Sequence, residues 1–255
     1  METLDNNKLI STLTIPGTHD ALALHGGAPT ECQAWSTEDQ LKAGIRYFDL
    51  RVSGFGLRIM HGPIYQRTSL PEVICIVKTF LTQFRNEVVL LRVKPVFPMK
   101  GKVPNLVEKL IKNDNDIYKN EKIPSIGEVR GKIVFVQKNS FQLGIKLFET
   151  DQIGDHKVTK VQDKVTKIKQ HLEKAATQCR TDSAEKISLS YSSGTSLGTY
   201  MGFFLLPQKL AKKINPSLID HLAKELKKSP KPCFGIIAMD FPSFDLIEMV
   251  IKFNT

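Results

Sequence analysis

The stretch LISTLTIPGTHD, residues 9–20, shows the pattern on which the fold prediction rests. It begins with a β-rich run, LISTLTI (9–15), and continues through Pro-Gly-Thr to His19 and Asp20. A short apolar run bounded by turn residues is typical of a buried strand. The sequence therefore predicts a strand that presents a histidine and an acid at its carboxyl end.

Similar β-rich runs recur along the chain and alternate with helical patterns. The other runs are RYFDLRV (46–52), LRIMHG (57–62), EVVLLRV (87–93), KIVFVQ (132–137), KISLSY (186–191) and CFGIIAMD (233–240). Apolar residues at helical spacing fill 71–84, 106–111, 160–178, 217–228 and 243–252. This alternation predicts parallel strands joined by crossover helices. Seven strands, with room for an eighth that the pattern does not reveal, indicate a single (β/α)8 TIM-type barrel, regular or irregular.

Length and composition agree with one barrel-sized domain. The chain has 255 residues, and (β/α)8 barrels commonly contain about 250. With 41% apolar and 24% charged residues, the composition excludes collagen, a long coiled coil and wholesale disorder. We find no internal repeat and no linker rich in Gly, Ser and Pro. We expect residues 1–255 to form a single domain.

The chain is basic, which favours acidic partners. Its 36 Lys and Arg against 26 Asp and Glu give a formal charge of +10. Nucleic acid, anionic lipid and phosphorylated substrates all fit this charge. No recognised nucleic-acid motif is present, so a nucleic-acid binder is the weakest of these hypotheses.

The amino-terminal residues and the cysteines bear on the compartment. The first residues lack the apolar segment of a signal peptide, and no apolar stretch reaches the ~20 residues that span a bilayer. The four cysteines lack a C-x-x-C pair, and we expect reduced thiols at Cys32, Cys75, Cys179 and Cys233. We expect a monomer in the cytoplasm or bound peripherally to a membrane, with a secreted protein as the alternative.

Charged side chains that suit catalysis are predicted to gather at one end of the barrel. In RYFDLRV, the period of two places Asp49 and Arg51 on the same face. His61 ends the next run, and Asp240 ends the last. Barrel closure would bring the last strand beside the first, where Asp240 could orient His19.

Two histidines and an arginine suit the cleavage of a phosphodiester by an internal hydroxyl. One neutral imidazole can remove the hydroxyl proton, and a protonated imidazole can give a proton to the leaving oxygen. A guanidinium supplies a fixed pair of donors to the phosphate oxygens and stabilises the charge that grows on them.

Three motifs, in this order and at these spacings, resemble a known family: IPGTHD (15–20), QLKAGIRYFDLRV (40–52) and HGPIYQRTSL (61–70). They are similar to the catalytic X region of phosphatidylinositol-specific phospholipase C, most of all to its metal-independent bacterial type. The resemblance continues through EVVLLRVK (87–94), RGKIVFVQK (130–138), SLSYSSGTSL (188–197) and GIIAMDF (235–241). It covers nearly the whole chain and implies a TIM-type barrel.

The resemblance implies a catalytic set made up of His19, Asp20, Asp49, Arg51, His61 and Asp240. In this family pattern His19, partnered by Asp240, is the general base on the inositol 2-hydroxyl. His61, held by Asp20, is the general acid for the diacylglycerol oxygen. Arg51 clamps the phosphate and is oriented by Asp49. The implied products are diacylglycerol and inositol 1,2-cyclic phosphate.

The resemblance also implies contacts to the substrate and to the membrane. The inositol-binding candidates are Lys94, Lys138, Asp155 and His156, and the membrane-contact candidates are Trp35, Leu197, Phe203 and Phe204. The alternative is a purely structural role, in which Trp35, Phe203 and Phe204 pack in the hydrophobic core. The partner would be phosphatidylinositol in a membrane, and the basic charge would favour an anionic surface.

No cofactor is expected. The calcium-dependent branch of the family has an acid where this chain has Arg51, and Asn where it has Asp20. A guanidinium at that position would supply the positive charge and repel a cation.

Two other functions remain open. One is a non-catalytic protein that binds an inositol-lipid head group, and the other is a metal-dependent barrel similar to glycerophosphodiesterases or sphingomyelinase D. The residues do not decide between free, lyso, glycosylated and phosphorylated inositol lipids.

Overall fold

The computed structural model describes residues 1–138, 143–181 and 185–255. The strands of this part are β1 (Thr14–Thr18), β2 (Tyr47–Ser53), β3 (Arg58–His61), β4 (Ile64–Ser69), β5 (Val89–Val96), β6 (Ile117–Tyr118), β7 (Ile133–Gln137), β8 (Ile145–Glu149), β9 (Ile187–Tyr191) and β10 (Gly235–Met239). Seven of them, in the order β1-β10-β9-β8-β7-β5-β2, pair in parallel, and β2 pairs with β1 to close the barrel. The predicted TIM-type barrel is confirmed, with seven strands in its closed sheet.

The helices follow the barrel strands and lie around the barrel. They are α1 (Thr37–Ala43), α2 (Leu70–Gln83), α3 (Val103–Ile111), α4 (Ile126–Val129), α5 (Val161–Thr181), α6 (Pro207–Glu225) and α7 (Phe244–Ile251). Their starts have local causes. At α2, Glu72 accepts from the backbone N–H of Ser69 and completes a capping box, and at α7 the hydroxyl of Ser243 accepts from the N–H of Leu246.

The run LRIMHG (57–62) is not a barrel strand. It forms β3, which is antiparallel to both β2 and β4. Only residues 54–57 separate β2 from β3, and a parallel crossover needs roughly a dozen residues or more. The prediction of a third barrel strand here was wrong because this connection is too short.

Other elements also differ from the prediction, and some have a clear cause. In the run 9–15, Ile10–Thr12 forms a 3-10 helix, and β1 begins at Thr14. The strand β8 was missed because Lys146 and Glu149 interrupt its apolar run. Helix α6 begins at Pro207 and continues through Pro216, although an internal proline usually ends a helix.

Inward-facing residues of the barrel change from apolar to charged along the strands. On β2 and β5 the paired inward positions are Tyr47 with Leu90, then Asp49 with Arg92, then Arg51 with Lys94. The first pair is fully buried in an apolar cluster that fills the amino end of the barrel. The second apolar cluster lies between the barrel and the helices. The interior is thus closed at one end, and polar groups collect at the carboxyl ends of the strands.

Close packing at the first strand explains one glycine of the motif IPGTHD. A Cβ added to Gly17 would lie 2.6 Å from Cδ1 of Tyr47. Only glycine lets β1 approach β2 closely enough to close the barrel at this point.

The expectation of four reduced thiols was wrong for two of them. Cys179 near the end of α5 forms a disulfide with Cys233, which precedes β10, and their Cα atoms are 6.1 Å apart. The two residues are 54 positions apart in sequence, so spacing alone gives no sign of the pair. Cys32 is a buried free thiol and Cys75 an exposed one.

Across the residues that the structure describes, no helix combines the length and the apolar character that crossing a bilayer would require.

Candidate active site

A cavity of about 600 Å³ opens at the carboxyl ends of the barrel strands. Its polar lining includes His19, Asp20, Asp49, Arg51, His61, Lys94, Lys138, Asp151, His156 and Asp240. The six residues of the expected catalytic set therefore line one cavity. Its volume is in the range of small-molecule binding sites.

His19 follows β1 and is oriented by the last strand of the barrel. Its Nδ1 lies 2.9 Å from Oδ1 of Asp240, which leaves Nε2 directed towards the cavity. The buried side-chain amide of Gln33 donates to the carbonyl oxygens of His19 and Met239, at 2.8 Å each. This amide joins the ends of β1 and β10 and fixes the two catalytic candidates relative to each other.

Asp20 lies at the centre of the charged groups. Its Oδ2 is 3.3 Å from Nε2 of His19 and 3.3 Å from Nε2 of His61. Its Oδ1 pairs with Nε of Arg51. Burial raises the pKa of Asp20, but the charges of His19, Arg51 and His61 outweigh it and hold the pKa below the ordinary value. Asp20 is therefore an anion shared by both imidazoles and the guanidinium.

His61 arrives on the β3–β4 hairpin rather than at the end of a barrel strand. Its Nδ1 donates to the carbonyl oxygen of Thr30 at 2.6 Å, so its Nε2 is the nitrogen that faces Asp20. Thr30 lies in the loop between β1 and α1, and no sequence signal marks a backbone carbonyl as a partner.

The two histidines have opposite pKa shifts. Burial lowers the pKa of His19, but Asp20 and Asp240 raise it above the ordinary value. Burial lowers the pKa of His61, and the charge of Arg51 adds to this against the effect of Asp20. The unliganded site therefore protonates His19 more readily than His61.

Arg51 is held by a different acid from the one expected. Its Nε pairs with Asp20, and one terminal nitrogen is 3.4 Å from Nε2 of His19. Asp49, which the resemblance assigned to Arg51, instead has its Oδ1 4.0 Å from Nε of Arg92. The correction follows from register, because Asp49 lies directly beside Arg92 on β5.

Paired charges at the base of the cavity support the site, and the sequence prediction missed Arg92, Glu149 and Tyr191 among them. Arg92 contacts Oε1 of Glu149 at 2.6 Å and donates to the hydroxyl of Tyr191. Lys138 pairs with the same glutamate. The Tyr191 ring meets the ring of His19 edge to face, with centroids 5.6 Å apart. The period of two in EVVLLRVK, which puts Arg92 on the same face as Lys94, was the available signal.

Of the four expected inositol-binding residues, the structure places Lys94, Lys138 and His156 on the cavity wall. Asp155 lies behind it, where its carboxylate contacts Nζ of Lys167 at 2.8 Å and Nε2 of His171 at 3.1 Å. Despite burial, the Lys167 contact lowers the pKa of Asp155 to about 2. Asp151, four residues earlier, lines the cavity in its place.

Within the described ranges, two clusters have ligand atoms close enough to hold a metal ion, but neither suits one. His19, Asp20 and Cys32 form the first. Burial raises the pKa of the Cys32 thiol far above its ordinary value, so it is a poor ligand, and Arg51 already pairs with the carboxylate of Asp20.

The second cluster consists of Asp151, Asp155 and His171. Here Lys167 and the buried Lys164 supply the cations that balance the carboxylates. Both clusters are therefore occupied by the protein's own positive groups.

The expected membrane-contact residues differ in exposure. Phe203 and Phe204 are 67% and 74% exposed in the loop after β9, so they are not core residues. Leu197 is half-buried at the cavity wall. Trp35 precedes α1, and its half-buried ring packs on the ring of Phe244 with centroids 4.8 Å apart.

No family model matches the chain. A curated relative from Listeria monocytogenes, named 1-phosphatidylinositol phosphodiesterase, is 28% identical over 279 residues, which cover 100% of this chain and 84% of the relative. A Staphylococcus aureus protein of the same name is 25% identical over 300 residues, covering 100% of this chain and 93% of the relative.

Solved structures agree with these relatives. The phosphatidylinositol-specific phospholipase C from Listeria monocytogenes superposes with a TM-score of 0.82 at 26% identity, over 100% of this chain and 97% of that chain. A Staphylococcus aureus phosphatidylinositol-specific phospholipase C shares the fold with a TM-score of 0.80 at 21% identity, over 99% of this chain and 95% of that chain. These matches confirm the resemblance that the sequence motifs indicated.

Proposed function

We infer that this chain is a phosphatidylinositol-specific phospholipase C and cleaves phosphatidylinositol, the activity for which its Listeria and Staphylococcus relatives are named. The observation that carries this inference is the placement of both histidine Nε2 atoms around one anionic carboxylate, with a guanidinium beside them, in a cavity at the carboxyl ends of the strands. A site with both an acid and a base is suited to turnover rather than to binding alone.

In the proposed reaction the inositol 2-hydroxyl attacks the phosphorus. Nε2 of His19 takes the hydroxyl proton, and Asp240 at Nδ1 stabilises the resulting imidazolium. One P–O bond forms to the ring and the P–O bond to the glyceryl oxygen breaks. His61 gives its proton to that oxygen, so the products are inositol 1,2-cyclic phosphate and diacylglycerol.

The proposed reaction needs a neutral His19 and a protonated His61, the reverse of the preference in the free site, and we expect the bound substrate to supply this reversal. A phosphodiester carries a negative charge, and its approach raises the pKa of a nearby imidazole. We expect this effect at His61, whose Nδ1 is already tied to the Thr30 carbonyl. Asp20 remains an anion and stabilises the protonated form of either ring.

Arg51 supplies the positive charge at the phosphate. Its guanidinium lies against Asp20 and 3.4 Å from His19, where it can donate to both non-bridging oxygens. Because this charge is covalently fixed, the proposed reaction has no need of a metal ion.

We expect the inositol ring to contact Lys94, Lys138, His156 and Asp151 on the cavity wall. Asp151 replaces Asp155 in this assignment because only Asp151 lines the cavity. Asp155 is then a structural residue that anchors the loop to α5 through Lys167 and His171.

The different roles assigned to Asp151 and Asp155 predict different effects when each is replaced by asparagine. We expect Asp151→Asn to raise KM by about tenfold, because a hydrogen bond from a ligand hydroxyl to a charged group contributes roughly 1.5–3 kcal/mol. Asp155→Asn should mainly lower the melting temperature and change KM less. Steady-state kinetics on a short-chain soluble phosphatidylinositol and thermal unfolding would measure both. A larger KM effect at Asp155 would restore the assignment made from sequence.

Membrane contact belongs to the same proposal. The exposed Phe203 and Phe204 lie in the loop after β9 at the cavity end of the barrel, where they can enter the lipid interface. Leu197 at the cavity wall and the half-buried Trp35 before α1 are the other two candidates for this contact. The Cys179–Cys233 disulfide supports an oxidising, exported location over the cytoplasm.

The direct test of the function is head-group release from vesicles of phosphatidylinositol, with vesicles of phosphatidylcholine as the matched control. We expect release only from the inositol lipid. Binding of phosphatidylinositol without release would establish the non-catalytic alternative. Cleavage of choline lipid that depends on a divalent cation would establish the metal-dependent alternative.

A further inference from the structure

Two neighbouring loops on the carboxyl side of the barrel expose large apolar side chains that the proposed function does not use. Phe55 follows β2 and is 53% exposed, and Phe97 and Met99 follow β5 and are 83% and 41% exposed. The N–H of Gly54 donates to the carbonyl oxygen of Pro98 at 2.9 Å. These residues are fixed together, and we call Phe55, Phe97 and Met99 the β2/β5 patch.

The contact between the two loops is built into the sequence. A Cβ added to Gly54 would lie 2.2 Å from the carbonyl oxygen of Met99. Glycine at position 54 therefore permits close contact between the loop after β2 and the loop after β5. This contact places Phe55 on the same surface as Phe97 and Met99.

The β2/β5 patch lies across the cavity from Phe203 and Phe204. Around the closed barrel, β9 is three strands from β2 by way of β10 and β1, and three strands from β5 by way of β8 and β7. The loop after β9 is therefore diametrically opposite to the loops after β2 and β5. The catalytic cavity opens between these two apolar edges.

The charged residues of the two loops that carry the β2/β5 patch have one sign. Arg58, Lys100 and Lys102 are exposed beside it, and the Arg58 guanidinium stacks 4.6 Å from the ring centre of Phe55. Residues 53–71 and 93–107 contain no Asp or Glu. Apolar side chains on loops whose charged residues are all basic fit an anionic lipid surface, where the rings enter the interface and the cations contact head groups.

We propose that the β2/β5 patch is a second lipid-contact site that binds an anionic bilayer. It acts together with Phe203 and Phe204, so the protein touches the membrane on both sides of the cavity and the barrel axis stands upright on the surface. A single contact would let the barrel tilt and would lift the cavity away from the head groups. The role in turnover rests on the proposed function, whereas the lipid contact does not.

The test uses the full chain with Phe55→Ser and Phe97→Ser combined. Sedimentation with vesicles of phosphatidylcholine and phosphatidylglycerol, which contain no substrate, should show at least about tenfold weaker binding, because each ring loses apolar burial in the interface. Phe84→Ser is the matched control, since Phe84 is an exposed phenylalanine between α2 and β5, at the amino end of the barrel. It should leave vesicle binding unchanged.

A second arm separates the membrane contact from the chemistry. Cleavage of a short-chain phosphatidylinositol that is soluble as a monomer should be the same in the double variant and in the unmodified chain. Unchanged vesicle binding by the double variant would overturn the proposal. Loss of self-association in light scattering, with vesicle binding intact, would overturn it in favour of a protein interface. If the unmodified chain cleaves no inositol lipid, the proposed function fails while the vesicle result still stands.

Discussion

Replacing His19 by alanine should lower kcat on soluble phosphatidylinositol by about 10³-fold, since a positioned general base contributes roughly 10²–10⁴-fold. KM should change little, because the 2-hydroxyl proton moves only in the transition state. Steady-state kinetics would measure both constants, and circular dichroism would confirm that the variant is folded.

Two other variants sharpen this result. His221→Ala, on the outer helix α6, should retain full activity. Asp240→Asn keeps the shape of the orienting group but removes its charge at Nδ1 of His19, so an intermediate loss is expected. Full activity of His19→Ala would contradict the assignment of the base.

Replacing Arg51 by alanine should lower kcat/KM by about 10²–10³-fold, the loss typical when one group that stabilises transition-state charge is removed. Arg51→Lys should recover part of this loss, because it restores the charge without the planar pair of donors. Activity would be measured in EDTA and again with added calcium.

Added calcium tests whether a metal ion can replace the guanidinium in the Arg51→Ala variant. The Asp20 carboxylate is shared with both histidines, and the Cys32 thiol beside it is a poor ligand, so calcium should not restore Arg51→Ala. Arg85→Ala, an exposed arginine at the amino end of the barrel, serves as the control and should behave like the unmodified chain. Rescue of Arg51→Ala by calcium would contradict this account, because it would show that the cavity can hold a catalytic cation in place of the guanidinium.

Much of the barrel could be predicted from the sequence because its signals are local. The apolar runs of β2, β5, β7 and β9 are short and bounded by turns, and each was found near its true place. The hairpin strand β3 has the same local pattern as a barrel strand. The length of the connection before it separates the two, and the four residues between the runs 46–52 and 57–62 were the available signal.

The site was predictable to the extent that it depends on strand ends. His19, Arg51 and Asp240 follow from alternation and from closure of the barrel. Thr30, by contrast, contributes a backbone carbonyl from a loop, which side-chain identity cannot indicate. Asp151 and Asp155 are four residues apart in a loop without periodicity, so only the fold decides which of them lines the cavity.

Exposure was the least predictable property. The rings of Phe203 and Phe204 could equally have packed under α6. An apolar run in the sequence does not show whether its side chains are buried or exposed. The β2/β5 patch is formed by loops more than forty residues apart in sequence, from Phe55 to Met99. It becomes visible only when the register of β2 with β5 is known.

The central claim is that this chain cleaves phosphatidylinositol without a metal ion, by attack of the lipid's inositol 2-hydroxyl on the phosphorus. Phosphorus NMR of the products from phosphatidylinositol vesicles, recorded early in the reaction and in EDTA, tests it most directly. We predict the resonance of inositol 1,2-cyclic phosphate as the first product, at the same rate with and without the chelator. Inositol 1-phosphate as the first product, or a reaction that EDTA abolishes, would contradict the mechanism.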